Sequence, residues 1–126
     1  MTTGFFTPDQ EPALSLEIRG PEGGRSFDAV IDTGFNGALT LPPGWIDALG
    51  LPQSGEQRVS LADGRVIVVP MHVGYVILDD QDLEIDVAKA QTDPLAGTAL
   101  FWGFSLYVEF AANGAVEIER LPASPS

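Results

Sequence analysis

The sequence predicts an all-β domain, a sandwich or barrel of short strands with very little helix. Three observations lead there. Apolar and polar residues alternate in short runs, as Leu14, Leu16 and Ile18 do against Ser15, Glu17 and Arg19. Glycine and proline, 14 and 10 of 126 residues, punctuate the chain throughout. Two pairs, Asp63-Gly64 and Asn113-Gly114, sit between strand-like runs, the arrangement that favours tight hairpins.

The elements follow in order. Met1 to Pro12 shows no clear period and is expected to be a loose arm. Leu14 to Ile18 is the first strand, and the cluster Gly20-Pro21-Glu22-Gly23-Gly24 turns the chain into a second, Ser26 to Ile31. That strand ends abruptly in Asp32-Thr33-Gly34. A short strand at Ala38 to Leu41 is stopped by Pro42-Pro43-Gly44, and Trp45 to Leu49 has room for one helical turn or slightly more before Gly50. Arg58 to Leu61 and Val66 to Val69 pair through Ala62-Asp63-Gly64-Arg65. His72 to Leu78 and Leu83 to Ala88 flank the polar turn Asp79 to Asp82, and Asp93-Pro94 closes that segment. Leu95-Ala96-Gly97 leads into Thr98 to Gly103, which is expected to be a short helix-like stretch. The last hairpin joins Leu106 to Phe110 with Ala115 to Leu121, and a loose tail is expected from Pro122 to Ser126.

The length suits one domain over residues 1–126, large enough to bury roughly two-thirds of its unfolded surface. No internal repeat doubles the Asp-Thr-Gly unit. The formal net charge is −12, with only six Lys and Arg. Such a chain repels phosphate backbones and anionic lipid, so neither nucleic acid nor membrane is an expected partner. There is no cysteine and a single histidine, His72. That excludes disulfides, thiolate zinc sites and multi-histidine metal centres, and no G-x-S-x-G motif is present for a serine nucleophile. No secretory signal or spanning helix is visible, which makes the cytoplasm the expected compartment.

Chemistry concentrates in Phe27-Asp28-Ala29-Val30-Ile31-Asp32-Thr33-Gly34. An apolar strand fixes the position of the Asp32 carboxylate. Thr33 can hydrogen-bond across the turn, and Gly34 allows close backbone approach. A carboxylate held this way suits general acid and base work. Activating water and also polarising a carbonyl takes two carboxyls in opposite protonation states. At about 3 Å apart two carboxyls share one proton, an effect for which the paired aspartates of aspartic proteases are the type case. The chain has one such unit, so the second must come from another copy across a two-fold axis.

In these segments the sequence resembles the retropepsin-like, or retroviral-type, aspartic peptidases. Val30-Ile31-Asp32-Thr33-Gly34, with Leu39 and Pro42 downstream, stands in the place of the family's catalytic loop. The Arg58 to Val69 hairpin looks like the flap that closes over substrate. Leu95-Ala96-Gly97 is similar to the signature whose strand threads beside the catalytic loop. The resemblance covers about Leu14 to Phe110. It implies a closed β fold with a flap and one or two short helices, a homodimer, and hydrolysis of peptide bonds by an activated water without metal or other cofactor. It makes Asp32, Thr33 and Gly34 the catalytic-loop residues. Ala62, Asp63, Gly64 and Arg65, together with Phe35, become the expected substrate contacts. Phe35 follows the motif where the well-studied members carry Ala or Ser, and a ring there is expected to narrow the site. Ala96 replaces a larger aliphatic residue.

A second function fits the same residues: a non-catalytic peptide-binding or dimerisation module of this fold. Plainer roles also compete residue by residue. Asp63 is first a turn former. His72 sits among strand residues and reads as structural or exposed. Trp45 and Trp102 are expected to pack in the core or at an interface. The run Asp79 to Asp86 lacks the loop glycine and distal glutamate of an EF-hand and reads as a solvated face.

Overall fold

The alternation in Leu14, Leu16 and Ile18 does what period two requires: all three side chains are buried, and Ser15 and Arg19 face out. The computed structural model describes residues 1–123, so the expected loose tail falls partly outside the described residues. In chain order the elements are β1 (Thr2–Thr3), β2 (Phe5–Phe6), β3 (Pro12–Gly20), β4 (Gly23–Ile31), β5 (Leu39–Leu41), α1 (Pro43–Leu49), β6 (Gln53–Ser60), β7 (Val66–Leu78), β8 (Gln81–Lys89), β9 (Leu95–Ala96), β10 (Phe104–Val108) and β11 (Val116–Arg120). Among the described residues the protein is all-β with one short helix.

Most strands form one sheet in the order β2-β3-β4-β9-β5-β8-β7-β6. It closes on itself because β3 also pairs with β7, through Glu17↔Ile77, Ile18↔Val76 and Arg19↔Tyr75. Strands β3, β4, β9, β5, β8 and β7 therefore make a ring. Its interior holds Leu14, Ile18, Leu39, Leu41, Val76, Leu78, Val87 and Ala96, all at 1% exposure or less. A second sheet, β1-β11-β10, packs Val116 and Ile118 onto the same core.

Several expectations need correction. The first twelve residues are not a loose arm. Thr2 and Thr3 pair with β11, and Phe5 and Phe6 pair with β3. The Met1 amine meets the Asp79 carboxylate at 2.8 Å. The partners of Met1, Thr2 and Thr3 lie far along the chain, and Phe5-Phe6 is too short a strand to show a period. The helix begins at Pro43 instead of Trp45. Pro43 occupies the first turn, where its missing N–H costs nothing, and Gly50 ends the helix in the left-handed region at φ 64°. Residues 98–103 form two successive turns, closed by Leu100 N–H to Gly97 O at 3.1 Å and Phe104 N–H to Phe101 O at 2.9 Å. Glycines at both ends and no α-helical ladder keep that segment from becoming a helix.

The stretches around Val66 and His72 are one strand running through Pro70. That proline is tolerated because β8 pairs with β7 only from Met71 onward, leaving one edge of β7 open at Pro70. The first half of β7 and all of β6 thus project from the ring as a hairpin. Val66, Ile67 and Val68 are 52%, 42% and 52% exposed there. The Asp79 turn is tighter than expected: Asp79 and Asp80, at φ 49° and 62°, connect Leu78 directly to Gln81.

Candidate active site

Asp32 is placed by a strand that arrives from far along the chain. Strand β4 carries Val30 and Ile31 to the edge of the ring, where they pair in parallel with Leu95 and Ala96 of β9. On its other side β9 meets Leu39 of β5 in antiparallel register. The loop of residues 32–38 therefore arches over a strand threaded beneath it. The stitches are Val30 N–H to Pro94 O at 3.1 Å, Asp32 N–H to Ala96 O at 2.9 Å and Gly97 N–H to Ala38 O at 3.0 Å. Two more follow, Thr98 N–H to Phe35 O at 2.9 Å and Ala99 N–H to Gly37 O at 3.2 Å.

Gly97 is where the threading is tightest. A Cβ there would lie 2.3 Å from Gly37 O and 2.5 Å from Phe35 O, both backbone atoms that cannot swing aside. Only glycine fits such a close approach. Thr40 completes the clamp. It is 6% exposed, and its Oγ1 accepts the Leu95 N–H at 2.9 Å. Without that hydroxyl the edge of β9 would leave a partly buried donor unpaired.

The Asp32 side chain is half-buried. Its Oδ1 accepts the Gly34 N–H at 2.9 Å, and its main-chain oxygen accepts the Phe35 N–H at 3.1 Å. This is an Asx turn, in which the carboxylate fixes the loop and the loop aims the carboxylate. Oδ2 makes no hydrogen bond within the described residues. Thr33 and Gly34 are exposed at the crest of the loop. Phe35 does not point out with them. Its ring lies against Gly37 and Gly97, with ring atoms 2.5 Å and 2.6 Å from where their Cβ atoms would be.

Beside Thr33 lies a shallow apolar hollow of about 460 Å³, bordered by Phe101, Trp102, Phe104, Leu106 and Leu121. Trp102 is 87% exposed, so it is not a core residue. Trp45 is partly buried, stacked edge-on to Phe27 at 5.9 Å with the Arg25 guanidinium 3.7 Å from its ring centre.

Ala62, Asp63, Gly64 and Arg65 form the tip of the projecting hairpin. Gly64 takes φ 86°, and Leu61 N–H to Arg65 O at 2.7 Å closes the turn. Asp63 is consumed in building it: Oδ1 accepts the Arg65 N–H at 3.0 Å, and Oδ2 meets Arg65 Nε at 2.6 Å. Among the described residues no hydrogen bond or ion pair joins this tip to the Asp32 loop. The structure thus gathers Asp32, Thr33, Gly34 and Phe35 on one arch and keeps residues 62–65 as a separate exposed tip. His72 sits near the base of the hairpin, 8% exposed, with Nδ1 2.8 Å from Leu51 O and Nε2 unpartnered. No group of three or more His, Asp or Glu among the described residues is placed to hold a metal ion.

Sequence reasoning missed Thr40 and Thr98. Thr40 stands between two buried leucines in Leu39-Thr40-Leu41, and a hydroxyl amid apolar strand neighbours is itself a sign of a backbone partner; Thr98, in Gly97-Thr98-Ala99, carries no such signal. No family model matches the chain, and no curated protein matches it.

Proposed function

We propose that the chain is one half of a retropepsin-like aspartic endopeptidase, with the Asp32 carboxylates of two copies forming the catalytic pair. The observation that carries this reading is the threading of Leu95-Ala96-Gly97 under the Asp32 loop. So much backbone hydrogen bonding around a half-buried carboxylate at the ring's edge holds one oxygen in a fixed direction. Such preorganisation is what acid and base catalysis needs.

In the mechanism, the two carboxyls hold one proton between them. The ionised member takes a proton from a water, which attacks the scissile carbonyl carbon. The protonated member donates to the carbonyl oxygen. The tetrahedral intermediate then collapses: the proton taken from water passes to the leaving amine, the C–N bond breaks, and a hydroxyl of the intermediate returns its proton to the other carboxylate, which restores the singly protonated pair. Thr33, at the crest, braces one loop against its mate. Gly34 lets the substrate backbone come close. The β6–β7 hairpin serves as the flap, offering strand-like hydrogen bonds to an extended peptide. Exposed apolar side chains on both of its faces, Val66 and Val68 on one and Ile67 on the other, supply contact area. The exposed hollow around Trp102, next to Thr33, supplies a surface for the second copy. Among the described residues no helix is long and apolar enough to cross a membrane. The proposal includes action in the cytoplasm, which fractionation of producing cells checks.

The test is Asp32→Asn in the full chain, against a library of peptides, with oligomeric state followed by sedimentation. The expected result is cleavage by the wild type, loss of at least about a hundredfold in the variant, and activity that falls on dilution as dimers separate. Equal cleavage by both proteins would sink the assignment. A wild type that binds peptides without cutting them would instead support the non-catalytic module.

A further inference from the structure

We infer that Phe35 is the positioning residue of the Asp32 loop, its ring held in a socket formed by Gly37 and Gly97. The consequence for catalysis rests on the peptidase reading, while the socket stands on packing alone. The loop of residues 32–38 has no regular structure and contains two glycines, Gly34 and Gly37, which by themselves would leave it free to sample many conformations. Phe35 removes that freedom from three sides. Its N–H donates to Asp32 O at 3.1 Å, and its carbonyl accepts the Thr98 N–H at 2.9 Å and the Thr98 hydroxyl at 3.4 Å. Its ring plugs the space left by two missing side chains. A Cβ on Gly37 would have as its three nearest neighbours only ring atoms of Phe35, at 2.5, 2.8 and 3.4 Å. A Cβ on Gly97 would meet ring atom Cδ2 at 2.6 Å.

The glycines and the ring are therefore one device. The ring makes Gly37 obligatory, and Gly37 makes the ring fit. Asp32 Oδ1 is bonded to Gly34 N–H inside the same arch, so whatever fixes the arch fixes the direction of the carboxylate. Phe35 touches no reacting atom in this scheme. It acts through Asp32, and its loss spreads the carboxylate over several directions.

The experiment compares wild type with Phe35→Ala, Phe35→Leu, Gly37→Ala and the double variant Phe35→Ala/Gly37→Ala, each in the full chain. Thermal midpoints give the coupling between the two sites, and amide exchange reports the loop. Gly37→Ala is expected to lower the midpoint in the wild-type background and to be harmless or helpful when Phe35 is Ala, because the added methyl then enters the emptied socket. In Phe35→Ala, exchange at the Gly34 and Thr98 amides is expected to rise roughly tenfold relative to Val76 in the barrel, with Phe35→Leu restoring most of the protection. With a cleavable peptide in hand, kcat is expected to fall about tenfold while KM stays within about twofold. The inference is overturned if Gly37→Ala costs the same in both backgrounds, or if exchange rises equally at Gly34 and Val76. Should the wild type cleave nothing, the peptidase reading fails, and the midpoints and amides still decide the socket.

Discussion

Replacing Gly97 by alanine tests the threaded arch directly. The new methyl carbon would stand 2.3 Å from Gly37 O and 2.5 Å from Phe35 O. Neither oxygen belongs to a flexible side chain, so relief requires β9 and the arch to separate. Overpacking of a well-packed site costs about 1–3 kcal/mol. Separation also weakens two backbone bonds, Gly97 N–H to Ala38 O and Thr98 N–H to Phe35 O. At about 1 kcal/mol each, they bring the loss to roughly 3–5 kcal/mol. For a domain of this size that corresponds to a fall in Tm of roughly 10–20 °C. The assay is thermal and urea unfolding, with Gly44→Ala as the matched control. A Cβ on Gly44 meets nothing within 4 Å, and the residue lies in α1. There the same chemical change is expected to be neutral or to stabilise by up to about 1 kcal/mol. If Gly97→Ala unfolds within about 0.5 kcal/mol of wild type, the close approach at the arch does not exist as described.

Three further outcomes are expected. Thr40→Val keeps the shape but removes the acceptor for Leu95 N–H; urea unfolding should show a loss of about 1–3 kcal/mol, and an unchanged midpoint would mean that the bond contributes nothing. Trp102→Glu puts a charge in the exposed hollow beside Thr33; sedimentation should show dimer affinity weakened by roughly thirtyfold or more, and unchanged association would move the dimer contact elsewhere. In a chain that begins at Met1, the hydrogen bond between its amine and Asp79 raises the amine above its ordinary value and lowers the Asp79 carboxyl below its own, helped by the Arg120 N–H. A lowered carboxyl contributes stability above its unfolded value and loses it as pH falls, and a raised amine contributes below its unfolded value and loses it as pH rises. The Tm gap between wild type and Asp79→Asn should therefore be widest between about pH 4 and 8 and narrow on both sides, and a gap independent of pH would rule the pair out.

What the sequence reveals here is what short range determines. The β3–β4 hairpin, the Asp63-Gly64 tip and the carboxylate at a strand end are all decided by neighbours within a few residues, and all are legible. The ring's closure through β3 and β7 is not, because Ile18 and Val76 carry the same pattern whether or not they are partners. Strand β1 is hidden for the same reason, since its partner β11 stands near the other end of the sequence. Within the arch, the turn at Asp32 is legible from residue type, an aspartate followed two residues later by a glycine whose N–H it accepts. Phe35 is not: a ring beside an exposed Asp-Thr-Gly turn suggests an outward contact, and only the two bare glycines beside it show that it packs against the arch. Trp102 misleads in the opposite direction, since a large aromatic suggests burial and this one stands in solvent.

The strand under the arch also sets a timetable. Thr98 is bonded to Phe35 across 63 residues of sequence. A ribosome making this protein releases the Asp32 loop long before it makes the strand that shapes it. Until residues 95–99 have emerged and slid beneath, the carboxylate has neighbours on only one side and no fixed direction. Contacts of such long range form late, after the entropy of closing the intervening chain has been overcome. A half-made chain therefore carries the motif without its geometry, and a cell producing the protein meets the finished site only after most of the barrel has closed.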